Sequence, residues 1–186
     1  MSKSYSLFVD TTQNLCNIGV LNNDKIINFL SLSTHNNMTD IVVKHIKEQL
    51  HKAKVKVQQL KKLYLIIGPG SFTGCRVGYI VITTLANLFN IPVYYLNSLV
   101  FQTNDGTGVS IIDAKSKKKY FAVYKNYKAI VKPQLVAADK VIKSKLKQYV
   151  DYKNVNIKKN LITHLSHFVK CNDINKLEPL YLKEPI

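Results

Sequence analysis

Gly68-Pro69-Gly70-Ser71-Phe72-Thr73-Gly74-Cys75-Arg76-Val77-Gly78 holds four of the chain's seven glycines and its only arginine. Every other basic residue is a lysine. A background that uses lysine for generic positive charge singles out Arg76 for planar or bidentate hydrogen bonding, which a lysine cannot supply. The stretch lies between an apolar strand-like run, Leu63 to Ile67, and a helix-compatible run, Ser71 to Phe89. Its glycines have two physical uses. Gly68 to Gly70 can take positive φ and turn backbone N–H groups toward an anion at the helix start. Gly70, Gly74 and Gly78 recur every four residues, which on a helix makes a smooth groove for another backbone. Each mid-helix glycine costs about 1 kcal/mol relative to alanine. Gly74 and Gly78 therefore need a compensating contact, either with the chain's own sheet or with a partner chain. The stretch is not a Walker loop, because no Gly-Lys-Ser/Thr follows, and not a dinucleotide fingerprint, because Gly74 comes one residue late.

Upstream, Tyr5 to Val9 reads as a strand ending at Asp10-Thr11-Thr12. Leu15 to Leu21 and Ile26 to Leu32 read as two more, joined by the turn Asn22-Asn23-Asp24-Lys25. Met38, Ile41, Val42, His45, Ile46 and Gln49 or Leu50 recur at helical spacing, in a helix that starts either at a Thr39-Asp40 cap or nearer Asn37. Downstream, Asn90-Ile91-Pro92 ends the glycine helix and Val93 to Leu96 is a short strand. The order βββαβαβ predicts an α/β sheet lobe.

The second half repeats the opening. A gapless offset of 103 residues lays Phe8-Val9-Asp10 on Ile111-Ile112-Asp113, Val20 on Val123, Asn23 on Asn126, Lys25 on Lys128 and Ile27 on Ile130. The matched order of strand, aspartate, turn, strand, turn, strand argues for internal duplication, with a helix expected over Ala138 to Val150. Further on, Val155-Asn156-Ile157 reads as a strand, Lys158 to Val169 as a helix, and the tail from Leu177 as extended.

The chain carries 27 Lys and Arg against 11 Asp and Glu, a net charge of +16. The excess concentrates in the second half, from Lys115 to Lys147, and reads either as a nucleic-acid-facing surface or as a solvated lysine coat. Three unpaired cysteines fit reduced thiols in a cytoplasm. No uninterrupted apolar run is long enough to span a bilayer and no signal peptide is legible, so no membrane association is expected. Asp10 and Asp113, one per half at strand ends, read either as turn caps or as a carboxylate pair holding a metal–phosphate complex. His164 and His167 stand three apart without a nearby acid, and no nucleophile set stands out.

The glycine stretch closely resembles the signature of the bacterial TsaB (YeaZ) family. That family supplies the dimerisation subunit of the machinery making N6-threonylcarbamoyladenosine (t6A) at tRNA position 37. Val9-Asp10-Thr11, His35, Ile112-Asp113-Ala114 and Pro179-Leu180-Tyr181-Leu182-Lys183 add to the resemblance, which spans nearly the whole chain. It implies an actin-like ATPase (ASKHA) α/β fold of two duplicated βββαβα-type lobes with a reduced second lobe, divided at 1–99 and 100–186. It implies a non-catalytic subunit with no metal, since no His-x-x-x-His ligand pair is present. The implied partners are a TsaD-type transferase, a TsaE-type ATPase and tRNA, the last indirectly or through the lysine-rich surface. A homodimer is implied when the chain is alone, and ATP or ADP only in the assembled complex. Pairing would use the two helices near 37–50 and 71–89. The expected interface residues are Met38, Ile41, His45, Ile46, Phe72, Gly74, Arg76 and Gly78. Two departures stand out: the short second lobe, and Lys183 where the closing motif commonly has arginine. The rival readings are an ASKHA-type ATPase or kinase using Asp10, Thr11 and Asp113, and a tRNA-binding module.

Overall fold

The computed structural model describes residues 3–33, 38–141, 144–153 and 155–182. His35 and Lys183 lie outside them. Strands β1 (Tyr5–Asp10), β2 (Leu15–Asn22) and β3 (Lys25–Ser33) form an antiparallel meander. Its second turn puts Asn23 and Asp24 at positive φ, where short polar side chains are tolerated best. Helix α1 (Met38–Lys52), strand β4 (Leu60–Ile66), helix α2 (Phe72–Phe89) and strand β5 (Val93–Leu96) follow. Strands β4 and β5 run parallel to β1. The Ser71 hydroxyl caps α2 by accepting from the Gly74 amide at 3.2 Å. Asn90, left-handed at φ 52, closes the helix two residues before Pro92. Helices α1 and α2 cover one face of the sheet, burying Leu7, Val9, Ile18, Val42, Ile46, Leu63, Leu65 and Ile82 in one cluster.

The second lobe begins with the short helix α3 (Ser98–Phe101) and continues with β6 (Gly108–Asp113), β7 (Lys118–Lys125), β8 (Lys128–Ala137) and β9 (Gln148–Val150). These strands form a second sheet in the order β8-β7-β6-β9. Strands β6, β7 and β8 follow the places of β1, β2 and β3 at the offset that the repeat predicts. The helix expected over Ala138 to Val150 is not formed. Ala138–Lys140 is a single 3-10 turn and Gln148–Val150 is a strand. Strand β9 pairs parallel with β6 as β4 pairs with β1. The connection from Ser110 to its partner Tyr149 is much shorter than the one from Leu7 to its partner Leu63. The shortfall is close to the full length of α1, so the reduction of the second lobe is the loss of that helix.

The pairing also corrects the repeat alignment. Asp10 faces Asn17, whose counterpart in the repeat is Tyr120, but Tyr120 faces Ile112. The β6–β7 turn carries one extra residue, with Lys115, Ser116 and Lys117 all at positive φ. Because side chains alternate along a strand, this slip turns Asp113 to the opposite face from Asp10. Ile112, not Asp113, occupies the place of Asp10, and it packs in the cluster that contains Phe8.

That cluster joins the two sheets. Phe8, Tyr64 and Ile66 of the first meet Ile112, Tyr120 and Ala122 of the second, with Phe101 of α3 in the same cluster. All four residues of α3 are buried there. The chain then crosses back. Helix α4 (Ile157–His164) is capped by Asn156, which sits at its start and not in the strand expected there. Strand β10 (Val169–Lys170) pairs with the free side of β5, completing the six-stranded order β10-β5-β4-β1-β2-β3. The tail is held there by the Leu180 amide donating to the Ile67 carbonyl at 2.8 Å.

Candidate functional site

The glycine edge of α2 is already filled by the chain itself. A methyl group on Gly70, Gly74 or Gly78 would fall inside 3.0 Å of Thr12 O, Thr11 O or Thr11 Oγ1 respectively. The β1–β2 turn, residues 11–14, docks into this edge. Thr11 Oγ1 donates to Gly74 O at 2.7 Å, and the Ser71 amide donates to Thr12 O at 2.7 Å. The contact that compensates the glycines is therefore internal, and the expectation that Gly74 and Gly78 meet a partner chain is corrected. The anion reading of the helix start weakens for the same reason, because the Ser71 and Gly74 amides both have partners within the chain.

The other expected interface residues divide by helix face. Met38 and Ile46 turn into the core under α1, since the apolar stripe that makes the helix amphipathic is the one that packs on the sheet. Ile41 and His45 are half-buried, and His45 Nδ1 lies 2.8 Å from Glu48 Oε2. Phe72 and Arg76 stay exposed. Four to a step, Phe72, Arg76, Ile80, Thr84 and Leu88 form one ridge on the outside of α2. Ile80 is 57% exposed, Leu88 71%, and Val43 on the outside of α1 46%. Ile80, Leu88 and Val43 were missed in the sequence, although the i, i+4 step from Phe72 and Arg76 leads to Ile80 and Leu88. By length and composition alone α2 could cross a membrane, but Gly74, Cys75, Gly78, Ile82 and Ala86 bury one side of it in this fold.

Asp10 and Thr11 are sealed from solvent. Asp10 Oδ1 accepts from the Thr12 amide at 2.9 Å and the Thr12 hydroxyl at 2.7 Å, while Oδ2 has no hydrogen-bond partner. Burial pushes the carboxyl up to about 6; the Thr12 bonds, and last the Asn17 side chain opposite, offset part of that. Burial and then the Asp10 charge push the Cys16 and Cys75 thiols up to about 12, so they stay protonated. Tyr152, from the second lobe, closes the region with its hydroxyl on the Ser98 carbonyl at 3.3 Å. Burial raises its phenol well above the usual range, and the Asp10 charge adds to this. Asp113 stands apart, about a third exposed, with Lys119 at 3.0 Å and Lys115 at 3.5 Å. The hydrogen bond from Lys119 holds its carboxyl below the ordinary value. Asp113 thus stands apart from Asp10 and Thr11, so the carboxylate pair on which the nucleotide reading was built is not formed.

The helix-borne histidines also have fixed tasks. His164 Nε2 lies 2.8 Å from the Thr103 carbonyl, so that nitrogen carries the proton and Nδ1 accepts from the Tyr127 hydroxyl at 2.8 Å. His167 stacks on Tyr127 with ring centroids 3.4 Å apart. Among the described residues no three His, Cys, Asp or Glu side chains gather into a group able to hold a metal ion.

The chain matches the family model described as TsaD, tRNA N6-adenosine threonylcarbamoyltransferase, over residues 33–172. It is 32% identical to "Uncharacterized protein MG208" of Mycoplasma genitalium, covering 98% of this chain and 96% of that one. It is 28% identical to the tRNA threonylcarbamoyladenosine biosynthesis protein TsaB of Bacillus subtilis, over 73% of this chain and 61% of that one. YeaZ from Pseudomonas aeruginosa superposes with a TM-score of 0.75 at 15% identity, covering 96% of this chain and all of that structure. The two-sheet architecture is accordingly the actin-like ATPase fold with a shortened second lobe. From the glycine signature, the two-lobed fold and these matches together, the chain belongs to the TsaB (YeaZ) family.

Proposed function

We propose that this protein takes part in t6A modification of tRNA as a non-catalytic subunit that pairs with and activates a TsaD-type transferase. The observation that carries the pairing is the outer face of α1 and α2, where Val43, Phe72, Ile80 and Leu88 leave apolar side chains in solvent on adjacent helices. Scattered exposed apolar residues are ordinary, but four on two packed helices offer a docking ridge. The non-catalytic part of the reading is supported by the closed surroundings of Asp10 and by Asp113 facing elsewhere. A TsaE-type ATPase would join the assembly, any nucleotide would bind only there, and the same helices would make a homodimer when the chain is alone. Ile80→Asp tests this directly. It should weaken binding to the transferase at least ~10-fold while leaving the melting temperature unchanged, because the side chain points outward. Wild-type affinity in Ile80→Asp and Leu88→Asp alike removes the helix face from the interface.

A second reading concerns tRNA, and it is compatible with the first. Between Lys115 and Lys147 the sequence holds eleven lysines and one acid, Asp139. Such a surface suits a phosphate backbone and predicts affinity that falls steeply with salt. Titrating fluorescent tRNA at rising salt concentration, with Lys115, Lys117, Lys118, Lys128 and Lys132 changed to Gln, tests it. An unchanged salt slope in the variant returns these lysines to a solvated coat.

A further inference from the structure

We infer that Arg76 is a pre-set receptor for one carboxylate of the protein partner, held in position by Phe72 and Tyr181. This deepens the pairing reading above and rests on it. The guanidinium carbon lies 3.9 Å from the centroid of the Phe72 ring. Arg76 Nε donates to the Tyr181 hydroxyl at 3.3 Å, and the Phe72 and Tyr181 rings stand 5.5 Å apart. The three residues come from the start of α2 and from the tail 105 positions later. The Phe72 ring contact and the Nε bond to Tyr181 hold the guanidinium from two sides. The one side-chain hydrogen bond of Arg76 among the described residues uses Nε, which leaves the terminal edge, Nη1 and Nη2, for a ligand. Among the described residues no ion pair reaches Arg76.

The chemistry of that edge selects its ligand. Two parallel N–H donors in one plane fit the two oxygens of a carboxylate, and a lysine cannot reproduce either the fork or the stack. The chain is itself poor in acids, with 11 against 27 basic residues, so an acidic partner is the complementary one. Position on the ridge adds a geometric condition. Ile80 is one step further along the same ridge and Leu88 three, about 18 Å in axial rise from Arg76. The partner should therefore present an Asp or Glu at one end of an apolar strip of that length. Order within the cluster favours such a site, because a guanidinium already held loses little freedom when the carboxylate arrives.

The test uses the full chain and its transferase partner in titration calorimetry. Arg76→Gln should weaken binding at least ~30-fold and Arg76→Lys at least ~10-fold, each with melting behaviour like the wild type. A scan of Asp→Asn and Glu→Gln on the partner's contacting surface should yield one variant with a similar loss that is not additive with Arg76→Gln. Arg76→Lys binding like the wild type, or no partner carboxylate coupling to Arg76, overturns the inference. So does a matching loss in Glu184→Gln, which would show that the chain's own tail supplies the acid. If Arg76→Gln fails to fold, Arg76→Lys and the partner scan decide. Absence of any binding by the wild-type chain instead defeats the pairing reading itself, which keeps the two failures distinct.

Discussion

Gly74→Ala separates an internal glycine contact from an external one. In a free helix this change stabilises by about 1 kcal/mol through propensity. Here the added Cβ would sit about 1 Å inside the 3.0 Å floor that real Cβ atoms respect, and the atom it meets is the Thr11 carbonyl oxygen, a backbone group. Relief requires the β1–β2 turn to retreat, which also breaks the bond from Thr11 Oγ1 to Gly74 O. Overpacking of this kind costs about 1–3 kcal/mol or more, and loss of a buried hydrogen bond adds roughly 1–2 kcal/mol. Less the propensity gain, the net destabilisation is about 1–4 kcal/mol. For a domain of this size 1 kcal/mol moves the midpoint by about 2–4 °C, so the melting temperature should fall by roughly 2–16 °C. Circular dichroism melts of the isolated chain, with Thr84→Ala on the exposed side as control, make the measurement. A Gly74→Ala midpoint indistinguishable from the wild type, or above it, refutes the packing argument and returns the glycine edge to a partner.

Asp10→Asn should stabilise the protein near pH 8 by about 1–3 kcal/mol in urea denaturation. The folded value of about 6 lies above the unfolded 3.8, so the native state binds the proton more readily. Stability therefore falls as pH rises through that window, and the variant's advantage should vanish toward about pH 4; an advantage that grows on acidification contradicts the burial. Tyr127→Phe removes the donor to buried His164 Nδ1 and should cost about 1–2 kcal/mol, read as a shift in urea midpoint. The fold-lowered value of His164, caused first by burial, predicts the opposite pH trend to Asp10: stability is lost as pH falls below the ordinary imidazole value of 6.5. His164→Gln should flatten that part of the profile.

The first lobe was legible almost strand by strand, because alternation, turn residues and caps are local signals. Ser71, Asn90 and the Asn23-Asp24 turn all do what their types suggest. The duplication was legible in element order but not in register, since a gapless comparison cannot see the additional left-handed residue in the β6–β7 turn. The helix expected over Ala138 to Val150 was carried over from the first copy of the repeat, and Val141, Leu146 and Val150 do not form it. In the structure they line the small cluster over Val109, Ile111, Phe121 and Val123 instead. The glycine periodicity was read correctly as a demand for close approach. What lies opposite it, the carbonyls of Thr11 and Thr12, comes from the far end of the first lobe's sequence, and no local pattern announces it.

The return of the tail to the first sheet has a consequence for synthesis. Strand β5 emerges from the ribosome complete at Leu96, yet its outer hydrogen-bonding row waits for Val169, Lys170 and Cys171. For that interval the nascent protein displays a bare sheet edge bearing Tyr94 and Tyr95, a template for stray pairing. Emergence of Cys171 from the ribosome, more than completion of the amino-terminal half, is thus the event that lets this edge close.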